Sequence, residues 1–345
     1  MSLAANLKMR AHHCAPALLG TVLLLASCSM PGANLRQDVP SPQARALKLR
    51  VAFSSTAEFG DIPSLMAHEL LVRQGYEVLP TFYDKPELAV EALARGDADI
   101  GNGSTRTYWA AVGKGAQIAT IMDEQANAWQ IVAGPAIRSC ADLDGRRFSV
   151  SGEAAVSSTM AESYIRENCP GVKREIVLIS GSPNRAAALL AGQIDATVLE
   201  LADVIQLEQQ APGRTHSLVD FGTGLPHLKT TGVHVNRSFA VAHPEAVKDY
   251  IRALLTIHRQ IRRDPDPLLA AAGKRLEIDE KLLPQISAAY SKSNSWDVNG
   301  GLSEEAVQYS LGFFSGKNSL PVALKVQDVA DLSYLNAVLD EMGRQ

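Results

Sequence analysis

A pattern of alternating strands and helices occurs twice in the chain, and this repeat constrains the fold more than any other feature. In the first copy, Leu47 to Phe53 alternates apolar and polar residues as a strand does, and helix and strand patterns continue to Gly101. The second copy runs from Arg146 to Leu199. Each copy contains the phrase Gly-x-x-Asp, beginning at Gly96 in one and at Gly192 in the other. The repeat predicts two similarly built α/β lobes with mostly parallel strands, and we assign the aspartates of the phrase to turns.

Composition excludes several classes of protein. The chain has 345 residues, of which 46% are hydrophobic and 20% charged, so it can bury the core of one large or two medium domains. Its formal net charge is -4, from 33 Lys+Arg and 37 Asp+Glu, without basic runs. A mildly acidic chain has no electrostatic reason to follow a phosphate backbone, so we expect no nucleic-acid partner.

The N-terminal segment is typical of an export signal. A basic start precedes an apolar run from Ala15 to Ala26, which is too short to span a bilayer comfortably. Residues 1–27 are therefore interpreted as a signal peptide. Its last residues, Leu25-Ala26-Ser27, with Cys28 form a tetrapeptide that resembles the bacterial lipobox, in which the cysteine is lipidated; a plain signal peptide with an incidental cysteine is the alternative. Residues 28–47 are rich in proline and small residues and are interpreted as a flexible tether.

These segments predict a protein of the cell envelope. We expect it to be exported, held at the periplasmic face by its lipid, and in contact with the membrane only through that lipid; sorting to the outer membrane stays open. Because Cys14 is then removed and Cys28 acylated, Cys140 and Cys169 are left in an oxidising compartment. Cys140 precedes a predicted strand and Cys169 ends the helix that returns from it, which predicts a disulfide; two separate buried thiols are the alternative.

Residues 47–343 resemble the solute receptors of the nitrate/sulfonate/taurine ABC import group, also called NMT1-like. The resemblance is carried by Ala141 to Val150 (ADLDGRRFSV), by Arg185 to Ala196 (RAAALLAGQIDA), and by Asp331 to Asn336 (DLSYLN). It implies a two-lobed periplasmic binding protein fold of type II, in which each lobe is a mostly parallel sheet flanked by helices. It also implies a small-molecule ligand in the cleft between the lobes, an ABC permease as partner, a monomer, and no cofactor.

The resemblance further implies how the chain is divided. Lobe 1 would comprise residues 48–132 and 230–345, and lobe 2 residues 133–229. The chain would cross between the lobes near Ile131–Pro135 and return near Pro226–Gly232.

Candidate ligand-binding residues follow from the rule that ligands bind at the carboxyl ends of strands in open α/β sheets. The residues predicted there are Ser55, Thr56, Glu58, Tyr83, Gly103, Ser104, Trp129, Gly152, Ser157, Ser158, Thr159 and Glu200. Many are hydroxyl residues that open a helix, where free backbone N–H groups suit an oxyanion, although serine and threonine are also ordinary helix caps. Trp129 could line the cleft or pack in the core of a lobe.

The charge of the ligand stays open at this point. The carboxylates Glu58, Glu153 and Glu200 would repel a sulfonate and favour an amine or a heterocycle rich in hydrogen bonds. Arg106 is the nearest basic residue that could pair with them, and Arg185 is assigned to a helix face. Anionic and amine-bearing ligands are therefore both considered.

Catalytic motifs are absent from the sequence. It contains no Gly-x-Ser-x-Gly, no phosphate-binding Gly-Lys-Ser/Thr loop and no His-Glu-x-x-His, and its histidines lack metal-ligand spacing. The resembling fold family includes an enzyme branch that builds the thiamine pyrimidine with a Cys-rich signature, which this chain lacks. We expect a binding protein that is not an enzyme and that has no metal and no catalytic residues. A ligand-binding sensor or interaction lipoprotein without a transporter is the alternative function.

Overall fold

The structure is a computed structural model that describes residues 47–153, 155–317 and 319–345. The predicted signal peptide, Cys28 and the predicted tether up to residue 46 lie outside the described residues. In this part of the chain, ten strands form two five-stranded sheets. The strands are β1 (Lys48–Phe53), β2 (Glu77–Phe82), β3 (Ile100–Ser104), β4 (Ile118–Gln125), β5 (Trp129–Ala133), β6 (Arg147–Val150), β7 (Glu175–Leu178), β8 (Ala196–Glu200), β9 (His216–Asp220) and β10 (Thr231–Asn236).

The two sheets have the same plan. The order is β2-β1-β3-β10-β4 in the sheet of the first lobe and β7-β6-β8-β5-β9 in the sheet of the second. Four strands of each sheet point the same way, and one strand, β10 or β5, runs antiparallel to both of its neighbours. The inverted strand is in each case the one that enters from the other lobe. No long covering helix precedes this strand, so the chain enters the sheet from the side nearest the crossing. It therefore runs antiparallel to its neighbours.

The first crossing between the lobes lies earlier than expected. β4 ends at Gln125 in the first sheet, and β5 already begins at Trp129 in the second, so residues 126–128 make the crossing rather than Ile131–Pro135. The register explains this difference, because Trp129 to Ala133 pairs along its whole length with β8. The return lies between Asp220 and Thr231.

Helices cover both sheets. They are α1 (Ile62–Arg73), α2 (Pro86–Arg95), α3 (Thr105–Val112), α4 (Val156–Asn168), α5 (Ser182–Leu190), α6 (Leu201–Gln210), α7 (Phe221–Gly224), α8 (Arg237–Ala242), α9 (Pro244–Arg263), α10 (Asp266–Arg275), α11 (Leu283–Lys292), α12 (Glu304–Gly316), α13 (Val326–Val329) and α14 (Ser333–Met342). A single large apolar cluster joins the two lobes, with Val51 and Leu254 in the first and Ile131 and Phe148 in the second. α13 and α14 are separate helices, because Ala330 leaves the helical conformation between them.

The repeated phrase has the same structure in both lobes. Gly96 ends α2 with a φ of 77°, and Gly192 follows α5 with a φ of 69°, a conformation that favours glycine. The aspartate three residues later accepts hydrogen bonds from the main chain and guanidinium of an arginine, Arg50 for Asp99 and Arg147 for Asp195. Each aspartate therefore links the start of one strand to a neighbouring strand. Both have a structural role in the turn before a strand, as assigned from the sequence.

The predicted disulfide is present. Cys140 and Cys169, 29 residues apart, are bonded, which ties the segment before β6 to the end of α4. Both cysteines lie at one end of a β-α unit, which is why the sequence could predict the pair.

Candidate functional site

A cavity of about 60 Å³ lies between the two lobes. The ends of β1, β3 and β4 and the loop after β1 line it from the first lobe, and the ends of β6 and β8 and the starts of α4 and α5 line it from the second. A water molecule needs roughly 10–15 Å³ of such volume, so the cavity has room for a ligand of a few non-hydrogen atoms. Its lining residues are Phe53, Ser54, Ser55, Glu58, Asp61, Pro86, Asn102, Gly103, Ser104, Glu124, Gln125, Trp129, Ser151, Ala155, Val156, Ser157, Gly181, Arg185, Glu200 and Thr231.

The structure brings together more than half of the residues predicted to contact a ligand. Those that line the cavity are Ser55, Glu58, Gly103, Ser104, Trp129, Ser157 and Glu200. The two alternatives for Trp129 do not exclude each other, because its side chain is buried and also borders the cavity.

The other five predicted residues do not line this cavity. The Ser158 hydroxyl donates to the carbonyl of Gly152, and the Thr159 hydroxyl donates to the carbonyl of Ala155. Tyr83 packs against the small apolar cluster around α2, and Thr56 borders a separate groove on the outside of the lobe contact. The hydroxyl groups of Ser158 and Thr159 are thus used in hydrogen bonds to nearby main-chain carbonyls rather than at the cavity.

Several buried polar atoms of the lining have no hydrogen-bond partner within the described residues. They are Ser54 Oγ, Gln125 Oε1, Trp129 Nε1, Arg185 Nη2 and Glu200 Oε2. Buried polar groups normally have hydrogen-bond partners. Several unpartnered atoms around one cavity therefore indicate a site where a ligand or water supplies the missing hydrogen bonds. Acceptors and donors are both present, and they come from both lobes.

Hydrogen bonds across the cavity join the lobes. Two of them involve the first N–H groups of second-lobe helices: Val156 N–H donates to Ser104 Oγ (3.1 Å), and Ser182 N–H donates to a carboxylate oxygen of Glu58 (2.9 Å). In a third, Gln125 Nε2 donates to Glu200 Oε1 (2.9 Å). The lobes are thus held in a closed arrangement by groups that themselves border the cavity.

Arg185 lines the cavity, whereas the sequence analysis assigned it to a helix face away from the ligand. Its side chain is fully buried, and it donates through Nε to the carbonyl of Val198 (2.9 Å) and through Nη1 to that of Ile179 (3.1 Å). The guanidinium also stacks over the Trp129 ring at 5.9 Å. It is the only Lys or Arg among the lining residues, whereas Arg106 does not line the cavity.

Burial controls the protonation of the carboxyl groups around the cavity. It raises the pKa of Glu124 to about 8, although Asn102 and Ser64 donate hydrogen bonds to that carboxyl. Burial, together with the charges of Glu58 and Asp203, raises the pKa of Glu200 well above its usual range. It also raises the pKa of Glu58, opposed by the charge of Arg185, and raises the pKa of Asp61. At neutral pH some of these groups therefore hold protons while the cavity is closed.

Sequence reasoning missed Asp61, Glu124, Gln125 and Arg185. Asp123-Glu124-Gln125 ends a strand immediately before the chain crosses to the other lobe, and this is the signal that could have found two of them. Polar residues at such a position must lie at the cleft edge of the sheet. The buried histidines lie elsewhere: His234 stacks on Tyr108 and contacts Thr120 in the core of the first lobe. In the described chain, no group of three or more His, Cys, Asp or Glu is placed to hold a metal ion.

Comparison with known proteins decides the family. Residues 72–267, more than half of the chain, match the family described as NMT1/THI5 like. The chain belongs to the NMT1/THI5-like family. The resemblance found in the sequence is thereby confirmed. No curated protein matches the chain in sequence.

Solved structures show the fold of this NMT1/THI5-like protein. The alkanesulfonate-binding protein SsuA from Xanthomonas axonopodis pv. citri, bound to MOPS, has a TM-score of 0.68 at 17% identity, covering 84% of this chain and 100% of its own. The periplasmic nitrate-binding protein NrtA from Synechocystis PCC 6803 has a TM-score of 0.72 at 12% identity, covering 86% and 89%. A ligand-binding component of an ABC-type import system from Staphylococcus aureus with zinc bound has a TM-score of 0.69 at 12% identity, covering 85% and 99%.

The predicted fold class is confirmed: the chain has the two-lobed α/β fold of type II periplasmic binding proteins. The prediction that it is not an enzyme agrees with the family match and with these binding proteins. Within the described residues, no helix has the length and apolar character needed to cross a bilayer.

Proposed function

We propose that this protein is the solute-binding component of an ABC-type importer. It clamps a small polar solute between its lobes and delivers it to a membrane permease. The observation that carries the proposal is the cavity with unpartnered buried polar atoms from both lobes, Gln125 from the first and Trp129, Arg185 and Glu200 from the second. A ligand that bonds to both lobes stabilises the closed arrangement by its differential affinity for it, and the closed form is what a permease can distinguish.

Ser55, Glu58, Gly103, Ser104, Trp129, Ser157 and Glu200 are proposed as ligand-site residues, together with Gln125 and Arg185. The Trp129 indole Nε1 and Arg185 Nη2 have no partner within the described residues, and both residues line the cavity from the second lobe, so these groups would donate to acceptor atoms of the solute. Glu200 Oε2 and Gln125 Oε1 would accept hydrogen bonds from its donors. Thr56, Tyr83, Gly152, Ser158 and Thr159 lie outside the lining and would shape the surrounding loops.

The test is a thermal-shift screen over sulfonates, nitrate, carboxylates, amines and thiamine precursors, with native mass spectrometry of the purified protein. We expect at least one small solute to raise the melting temperature and to bind one per chain. Trp129→Phe keeps the ring but removes the indole N–H, and it should weaken that solute about tenfold, the effect of losing roughly one hydrogen bond.

Trp109→Phe is the matched control, because the Trp109 indole N–H donates to Thr120 in the core of the first lobe, away from the cavity. It should leave the affinity unchanged even if it lowers stability. Equal losses of affinity in the two variants, or no solute bound in the screen or carried through purification, would contradict the proposal.

We further propose that Cys28 is lipidated and that the protein is held at the periplasmic face of the envelope. The lipobox-like tetrapeptide and the apolar run before it support this location. The wild-type protein should partition into detergent, and Cys28→Ala should move it to the aqueous phase. Unaltered partitioning of the variant would contradict the anchor while leaving the binding proposal intact.

A further inference from the structure

We infer that the cleft binds a small organic cation with N–H donors, such as an amine, amidine or guanidine, rather than a nitrate or sulfonate anion. This inference rests on the proposed function and names the class of its solute. Three observations carry it: the excess of carboxyl over basic groups around the cavity, the occupation of two helix starts, and the unpartnered oxygen atoms of the lining.

Carboxyl groups outnumber basic groups around the cavity. Four carboxyl side chains line it, Glu58, Asp61 and Glu124 from the first lobe and Glu200 from the second. Arg185 is the one basic side chain in the lining, so full ionisation would leave three uncompensated negative charges. A bound cation can pair with these carboxyl groups as they ionise, whereas a bound anion would oppose their ionisation and could pair only with Arg185.

At two helix starts beside the cavity, the first N–H group is already used by the chain itself. Free N–H groups at helix starts commonly bind oxyanions. Here the Ser182 N–H at the start of α5 donates to the Glu58 carboxylate, and the Val156 N–H at the start of α4 donates to the Ser104 hydroxyl. The Glu58 carboxylate thus occupies one of these anion-binding positions. A sulfonate could bind there only by displacing this carboxylate.

The unpartnered acceptors of the lining require donors from the ligand. Glu200 is fully buried; its Oε1 accepts from the Gln125 amide, while its Oε2 has no partner in the described residues. Gln125 is also buried, and its Oε1 is likewise unpartnered there. Once Glu200 has lost its proton, its carboxylate oxygen and the Gln125 amide oxygen, which come from opposite lobes, can accept from the N–H groups of one ammonium or guanidinium. The Trp129 indole N–H, which has no partner in the described residues, can donate a hydrogen bond to one acceptor atom on the same solute.

Cation binding should release protons. Burial holds protons on the carboxyl groups of the empty cleft, since the pKa of Glu124 is raised to about 8 and that of Glu200 lies well above its usual range. A bound cation favours the ionised form, so it lowers these pKa values and drives protons off. The titratable groups that face one another here are Glu58, Asp61, Glu124, Arg185, Glu200, Asp203, Tyr250 and Tyr290.

The experiment is calorimetric titration of the full-length protein with ethanolamine and methylguanidinium as cations and with nitrate and methanesulfonate as anions. Each titration is run near neutral pH in potassium chloride solution without added buffer, and a parallel pH-stat titration measures the protons exchanged on binding. We expect a cation to bind at millimolar concentration or below with net proton release, and neither anion to bind. Glu200→Gln should weaken cation binding by about tenfold or more.

Glu208→Gln is the matched control, because Glu208 is exposed on α6 and does not line the cavity. It should leave affinity and proton release unchanged. Anion binding with proton uptake, with equal or tighter affinity in Glu200→Gln, would overturn the cation inference but keep the proposed function. Failure of both cations to bind would also overturn the inference, and the proposed function would then fall only if the wider solute screen were negative too.

Discussion

The backbone N–H of Ser182 in the second lobe donates a hydrogen bond of 2.9 Å to the carboxylate of Glu58 in the first. Glu58 lies in the loop after β1, and Ser182 is the first residue of α5. One carboxylate therefore lines the cavity, occupies a helix start and holds the lobes together. Binding of a solute beside Glu58 and closure of the lobes must consequently influence each other.

Removal of the other bond between a helix start and the first lobe should loosen closure. In Ser104→Ala, the Val156 N–H loses its acceptor across the cavity, and it regains one from water only when the lobes open. We expect the ratio of closed to open molecules to fall about fivefold, as for the loss of roughly 1 kcal/mol, measured by energy transfer between dyes on the two lobes. Ser158→Ala is the control, because that hydroxyl bonds within its own lobe. An equal effect of the two substitutions would contradict this role for Ser104.

Stability of the ligand-free protein should fall as the pH rises. The folded Glu124 carboxyl has a pKa of about 8 against an ordinary value of 4.5, so between these pH values the folded state binds more protons than the unfolded state. The free energy of unfolding should then decrease with pH in this window, by at most about 1.4 kcal/mol per pH unit for each such group. Denaturant unfolding at a series of pH values measures the slope. Glu124→Gln should make it shallower, and an unchanged slope would exclude Glu124 as a source.

The disulfide should contribute to stability through the unfolded chain. Reduction of Cys140–Cys169 opens a loop spanning 29 residues, and we expect the free energy of unfolding to drop by roughly 3 kcal/mol. Denaturant unfolding with and without reductant measures this difference. The double variant Cys140→Ser/Cys169→Ser should be insensitive to reductant. Two titratable thiols in the unfolded, unreduced protein would show that the bond does not form in solution.

The two repeated arginine–aspartate pairs should differ in strength. The Asp99 side chain is 4% exposed and that of Asp195 27%, although each accepts from the main chain and guanidinium of its arginine. Loss of charge is more costly where water cannot replace the partner, so Asp99→Asn should lower the free energy of unfolding by roughly 2 kcal/mol and Asp195→Asn by less. Chemical denaturation of the two variants tests this order. A larger loss for Asp195→Asn would contradict it.

The sequence by itself determined the repeated local structure of both lobes. Strand and helix periods from Leu47 to Gly101 and from Arg146 to Leu199 are set by residues close in the chain. Glycine at 96 and 192 marks a backbone conformation that other residues rarely adopt, so the ends of those helices could also be predicted. The disulfide followed from the same local arrangement, since both cysteines flank one β-α unit.

Only the tertiary structure decided the strands at the crossing and the chemistry of the cleft. β4 is buried along its whole length, with Thr120, Asp123 and Glu124 inside, so it has no alternation of apolar and polar residues to identify it. Arg185 is similar to any polar residue on a helix face until α5 is placed against β8 and Trp129. Burial and the approach of the opposite lobe, which depend on residues far apart in the chain, set the protonation of Glu124 and Glu200 and leave their cavity with unpartnered acceptors.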